Sequence, residues 1–365
     1  MKAGLSQEEA FARIRLLRSP NIGPVSYAQL LRRFGNAQSA LAALPDLAAR
    51  RGKPYRAAAE GRIADEVTAL RKAGGRYLFH DSAEYPALLS ELESAPPILT
   101  MRGDPALAPR PCVAIVGARN ASAAAVKLAR QFAGALSDAG FVVVSGLARG
   151  IDGAAHQASL AHGTIGVIAS GIEIAYPPEH RDLQEAVANR GLLLSEYPPG
   201  TEPLARNFPS RNRIIAGLAL GTLVVEAAPK SGSLITARLA GESGREVMAI
   251  PGSPLDARAQ GCNQLIGEGA VLVQSADDVI ELLSGFDGVP RSSFRENASA
   301  AFVVSDELGD EPADIAGLLT TAPIAVDELI RQSSEPTAAV QLALLELELA
   351  GQLVRHAGGR VSLAG

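Results

Sequence analysis

The sequence has no tryptophan, 2 cysteines, and so few other aromatics (6 Tyr and 9 Phe) that the class makes up 4% of its 365 residues. Two isolated cysteines, Cys112 and Cys262, build neither a disulfide framework nor a thiolate zinc cluster, and they suit a reducing cytoplasm. No apolar run approaches the roughly 18 residues of a membrane-spanning helix. The first twenty residues carry charges where a signal peptide needs an apolar stretch. The dinucleotide fingerprint GxGxxG and the GxxxxGK[ST] loop are both missing, no metal-ligand set stands out, and no cofactor is expected. Scarce aromatics argue against a platform of stacked bases as the main grip on nucleic acid, so a nucleic-acid partner would be held by its phosphates.

Apolar residues form 47% of the chain, enough for two or three ordinary domains. The net charge of −5 hides an asymmetry. Residues 1–75 hold 13 Lys/Arg against 6 Asp/Glu, whereas residues 310–365 hold 3 Arg against 8 Asp/Glu. A basic end fits either a polyanion partner or a solvated helical surface.

Within residues 1–75, Gln7–Leu17 has a helical period, and Ser19-Pro20-Asn21 stops it. A turn at Ile22-Gly23-Pro24 leads to apolar residues at helical spacing (Tyr27, Leu30, Leu31, Phe34), ended by Gly35-Asn36. This reads as a small helical domain of the SAM or helix-hairpin-helix kind. The proline-rich stretch 76–111 reads as an irregular lead-in. Residues 112–284 alternate helical patterns with short aliphatic runs beginning at 112, 141, 164, 192, 222, 246 and 270. That alternation specifies an α/β class with a mostly parallel sheet buried on both faces. Residues 285–312 read as a linker. Residues 313–365 read as three helices (ADIAGLLT, AVDELIRQ, PTAAVQLALLELELAG) and a hairpin turning at Gly358-Gly359, a winged-helix pattern. The third helix has no Lys or Arg and carries Glu346 and Glu348, which favours a protein contact over duplex DNA.

Five segments carry chemistry. Val116–Ser122 places Gly117 and Arg119 after the first parallel strand, where backbone N–H groups and a helix start attract anions. Ser145-Gly146-Leu147-Ala148-Arg149-Gly150-Ile151-Asp152 repeats that arrangement; Asp152 and His156, four residues apart, suit a structural pair or an acid/base pair. Asn207–Leu218 brings Arg206, Arg211, Asn212 and Arg213 to an apolar helix, with Ser210 as an N-cap. Lys230-Ser231-Gly232-Ser233 opens another helix after a strand ending at Glu226, which could orient Arg211 or Arg213 or act as a base. Asn263, after Gly261-Cys262, suits a helix cap. The first four loops would gather at the carboxyl edge of one sheet, a pocket for anionic oxygens with no evident bond-breaking group.

In this order, IVGAR, SGLARGIDGAAHQASL, FPSRNRIIAGL, SGSLITARLA and GCNQLIGEGA resemble the DNA processing protein A (DprA/Smf) family, closely over about residues 78–275. Gly117-Ala118-Arg119 departs from the family's Gly-Ser-Arg. The resemblance implies an extended Rossmann-like core that binds single-stranded DNA and dimerises. It also implies a non-enzymatic recombination mediator that protects incoming strands and loads RecA during natural transformation. It implies DNA contacts at Arg119, Ser145, Gly146, Arg149, Gly150, Arg211, Asn212, Arg213 and Lys230–Ser233, supported by Asp152, His156, Glu226 and Asn263. A phosphoribohydrolase-like enzyme on nucleotides, or a winged-helix regulator of duplex DNA, are the competing readings.

Overall fold

The computed structural model describes residues 5–50, 54–286, 291, 293–294, 309, 311–356 and 358–364. They fall into two compact units, one of Met1–Asp65 with Ser299–Gly365, the other of Glu66–Ala298. The linker expected at 285–312 lies mostly outside the described residues.

The chain opens with α1 (Gln7–Leu17), α2 (Pro24–Phe34), α3 (Ala37–Ala49) and α4 (Glu60–Lys72). Ser6 caps α1 and Asn36 caps α3 through side-chain acceptors. Asn21 and Gly35 take positive φ (59° and 78°), which lets the chain reverse between helices.

The core follows, as β1 (Arg76–Phe79), α5 (Ala87–Ser90), β2 (Ile98–Gly103), β3 (Cys112–Val116), α6 (Ala123–Asp138), β4 (Val142–Ser145), α7 (Ile151–Ser159), β5 (Thr164–Ile168), α8 (Arg181–Arg190) and β6 (Leu192–Ser195). It continues through α9 (Asn207–Leu218), β7 (Gly221–Val224), α10 (Gly232–Glu242), β8 (Glu246–Ala249), α11 (Gln260–Gly267), β9 (Val271–Leu272) and α12 (Ala276–Ser284). All nine strands form one sheet in the order β1-β2-β6-β5-β4-β3-β7-β8-β9. Each of the seven aliphatic runs is a parallel strand of it. Along β3, Cys112, Ala114 and Val116 enter one core cluster while Val113 and Ile115 enter another on the opposite face. A period of two with both phases apolar is what a sheet covered on both sides demands.

The lead-in is more regular than its prolines suggest. Pairs β1–β2 and β2–β6 are antiparallel, so residues 76–103 extend the sheet. Pro96-Pro97 stand just before β2, where no ladder N–H is lost, and the run Ile98–Met101 is buried. The chain winds from β3 to one side through β4, β5 and β6, then crosses back to β7 beside β3. The loops after β3, β4, β5 and β7 therefore open on one edge at the switch point, where open α/β sheets bind ligands.

The C-terminal module has β10 (Ile324–Ala325), α13 (Val326–Ser333), α14 (Thr337–Leu349), β11 (Leu353–His356) and β12 (Arg360–Leu363). The helix expected over ADIAGLLT is a single 3-10 turn, Ala316–Leu318. Helix α14 is buried almost throughout. Its Leu342, Leu345 and Leu349 share a core with Leu16, Leu30 and Leu44 of the N-terminal helices. Its polar residues are partnered as well. Gln341 accepts from Gln29 at 3.0 Å, Glu346 pairs with Arg50 at 3.3 Å, and Glu348 accepts from Ser26 and from Arg355. The acidic third helix thus packs on the chain's own N-terminal module.

Candidate nucleic-acid interface

The site is assembled around Arg211. Helix α9 starts at Asn207, whose side-chain amide donates to the carbonyls of Ala169 and Glu202. Ser210 therefore lies inside the helix and is not its cap. One turn in, the Arg211 guanidinium lies flat against Gly146; a Cβ there would stand 1.6 Å from Arg211 Nη1. Only glycine at the end of β4 leaves this space. Arg211 is 5% exposed, forms no ion pair among the described residues, and its Nε has no hydrogen-bond partner. Burial lowers its pKa to about 10, against the opposing pull of Asp152, so it stays a cation at neutral pH.

Loop 146–150 is held from both sides. The Asp152 carboxylate accepts from Gly146 N (3.2 Å) and Ala148 N (3.3 Å). Burial pushes that carboxyl up, while Arg211 and the two N–H donors pull it back. The His180 ring bonds to the Leu147 carbonyl at 2.9 Å. Leu147 takes φ +55°, and Gly150 takes φ +73° against the carbonyls of Ala118 and Arg119, where a Cβ would fall 2.3 Å from Ala118 O. This close approach locks the loops after β3 and β4 together.

A cleft of about 280 Å³ results, with Arg211 and Gly146 in its floor and Arg119, Arg149, Tyr176 and Phe208 around it. The Arg119 and Arg211 guanidinium carbons lie 5.1 and 5.9 Å from the Phe208 ring centre. Tyr176 meets the same ring at 5.6 Å. Cation and aromatic faces side by side suit a nucleotide's phosphate and base. Sequence alone does not single out these aromatics, because the scarcity of the class points to phosphates as the main contacts. Phe208 stands three residues before Arg211, and that helical spacing is the signal that would have found it.

Other predicted residues take different places. Ser145 is fully buried and donates to Ile115 O at 2.6 Å, tying β4 to β3. Arg213 pairs with Glu196 and does not line the cleft. Asn212 donates to Gly232 O at 3.4 Å, fixing the start of α10 against α9. Ser231 caps α10, its hydroxyl 2.8 Å from that of Ser233; Lys230–Ser233 stand outside the cleft lining. Glu226 orients neither arginine: its carboxylate accepts from Ser122 N (3.0 Å) and Ser122 Oγ (2.7 Å) at the start of α6. Asp152 and His156 do not pair. His156 meets Thr164 Oγ1 at 2.9 Å, and burial pushes its pKa down to about 3. Asn263 lies within α11 and is not its cap, clasping Gly252 N and O (3.1 and 2.9 Å). Arg149, in the cleft lining, pairs with Glu179, which lies outside it. Burial raises the Cys112 thiol to about 12 and the Cys262 thiol to about 11, leaving both unreactive.

Residues 76–284 match the family model of DNA recombination-mediator protein A. The chain belongs to the DprA family. Residues 7–69 match the DprA-like N-terminal HHH domain, and residues 301–359 match the DprA winged helix domain. Protein Smf of Synechocystis is 35% identical over 315 residues, covering 78% of this chain and 79% of that one. The DNA processing protein DprA of Streptococcus pneumoniae is 49% identical over 198 residues, 54% of this chain and 70% of that protein. The X-ray structure of the pneumococcal DprA superposes with a TM-score of 0.64 at 37% identity, covering 77% of this chain and 98% of that chain. DprA from Helicobacter pylori, described for its single-stranded DNA binding mode, superposes with a TM-score of 0.53 at 29% identity, covering 58% of this chain and 97% of that one. Among the described residues, no helix is long and apolar enough to cross a membrane.

Proposed function

We propose that this DprA-family chain binds single-stranded DNA in the cleft of Arg119, Arg149 and Arg211, and acts as a recombination mediator without chemical turnover. The observation that carries this is Arg211: a guanidinium 5% exposed, with an orphan Nε and no ion-pair partner among the described residues, in the floor of a cleft. A buried cation left unpaired is costly, and a phosphate oxygen supplies what it lacks. A narrow cleft with Phe208 and Tyr176 beside the cations takes a flexible strand whose bases turn freely, whereas a duplex keeps its bases stacked inside. The H. pylori relative supports the choice of single strands.

The competing enzymatic reading needs a free base at the switch point. Glu226 was its candidate, and both oxygens of that carboxylate are engaged at Ser122. The finer parts of the proposal follow the family: protection of incoming DNA, RecA loading in transformation, a cytoplasmic location and a homodimer.

The test is fluorescence anisotropy with single-strand and duplex oligonucleotides across a salt series. Single strands should bind tighter, with a log–log salt slope of about 0.7 per phosphate contacted. Arg119→Ala and Arg211→Ala should each weaken binding about 10-fold or more, since a charge-assisted bond is worth roughly 1.5–3 kcal/mol. Unchanged affinity in the double variant would remove the cleft from the function.

A further inference from the structure

Of the four arginines expected to contact DNA (Arg119, Arg149, Arg211 and Arg213), two already hold a carboxylate, and the two pairs differ in surroundings. Arg213 and Glu196 have side chains 15% and 18% exposed, enclosed by the fold. Arg149 and Glu179 are 62% and 48% exposed. An enclosed pair stays made, because separating it strands a charge. An exposed pair of flexible side chains contributes little and exchanges partners readily.

The backbones beneath the exposed pair are fixed. Loop 146–150 is clamped by Asp152 at two N–H groups, and the turn carrying Glu179 is anchored by His180 on Leu147 O. Exchange therefore needs only side-chain rotation. Glu179 is joined to Arg149 by a charge-assisted bond that lowers its carboxyl pKa, so it is ionised at neutral pH. It presents to Arg149 what a phosphodiester would bring, a single negative charge spread over two acceptor oxygens.

We propose that Glu179 is an internal competitor for the DNA backbone: it holds Arg149 until a phosphate of the bound single strand displaces it, and so sets the affinity and salt dependence of the cleft. The proposal rests on the cleft being the DNA site. Its physical consequence is specific. When phosphate takes Arg149, Glu179 is released and gathers a counterion, offsetting the counterion the DNA gives up. Without Glu179 that offset vanishes. A protein that must pass its strand on is served by a competitor that keeps binding reversible.

The experiment titrates the full chain with a fluorescein-labelled oligothymidylate through a potassium chloride series. It compares wild type, Glu179→Gln, Arg149→Ala, the double variant and Arg211→Ala, each checked for folding by circular dichroism. Glu179→Gln should tighten binding about 2- to 5-fold at low salt and steepen the log–log slope by about 0.7, one extra phosphate contact's worth. In the Arg149→Ala background the same substitution should have little effect, because the two residues act through each other. Equal tightening with and without Arg149 would reduce Glu179 to general repulsion and overturn the proposal, as would unchanged or weaker binding by Glu179→Gln. Loss of binding in Arg211→Ala alongside such a result would leave the cleft standing and this inference refuted. Wild-type binding by Arg211→Ala would instead refute the cleft itself.

Discussion

At the residue scale, Gly146 and Arg211 are one device. The φ of Gly146 is not left-handed, so alanine fits its backbone, and the effect of Gly146→Ala is purely steric. The added methyl must push the guanidinium out of its seat. Gly146→Ala should keep its fold by circular dichroism and lose about 10-fold or more in single-strand affinity; wild-type affinity would show that the seat is unnecessary. His156 gives a pH effect. Its pKa is pushed down to about 3 by burial, against about 6.5 in an unfolded chain. Below pH 6.5 the unfolded state takes up a proton that the folded state refuses, so this contribution is whole above pH 6.5 and is lost as pH falls toward 3. Urea midpoints should decline through that window, less steeply in His156→Gln; equal slopes would place the acid sensitivity elsewhere. Arg119, Gly146, Arg149 and Arg211 stood out in sequence because they follow or flank strands of a parallel sheet at its carboxyl edge, where such sheets bind ligands. Their pairings did not. Asp152 and His156 share a helix face by spacing, yet each takes a partner from another element, as do Glu226 and Asn263.

At the element scale, the seven parallel strands were legible because short aliphatic runs alternate with longer helical patterns along 112–284, and that alternation separates buried strands from helix segments. Strands β1 and β2 were not: β1 is only four residues long, and Pro96-Pro97 before β2 read as breakers when they mark a strand start. Helix α14 reads from its acidic sequence as a protein contact, and the partner it packs on lies some three hundred residues away in sequence, beyond any local pattern. Leu345 is fully buried in the core that α14 shares with α1, α2 and α3. Leu345→Ala should therefore destabilise that unit by about 2–5 kcal/mol. Amide exchange should quicken in α1–α3 as well as in α14. Faster exchange confined to the C-terminal module would contradict a common core.

For the whole molecule, the two charged ends resolve partly against each other. The basic end supplies Arg50 to Glu346 of the acidic end inside one compact unit. Arg119, Arg149 and Arg211 of the core gather at the switch point of the sheet, where three loop segments and α9 converge. The central claim is that this convergence is where the strand lies, and a crystal structure of the chain with a short oligothymidylate tests it most directly. The account predicts phosphates within hydrogen-bonding distance of Arg119 and Arg211, with a base against Phe208 or Tyr176. An ordered strand bound elsewhere, with both arginines untouched, would contradict it.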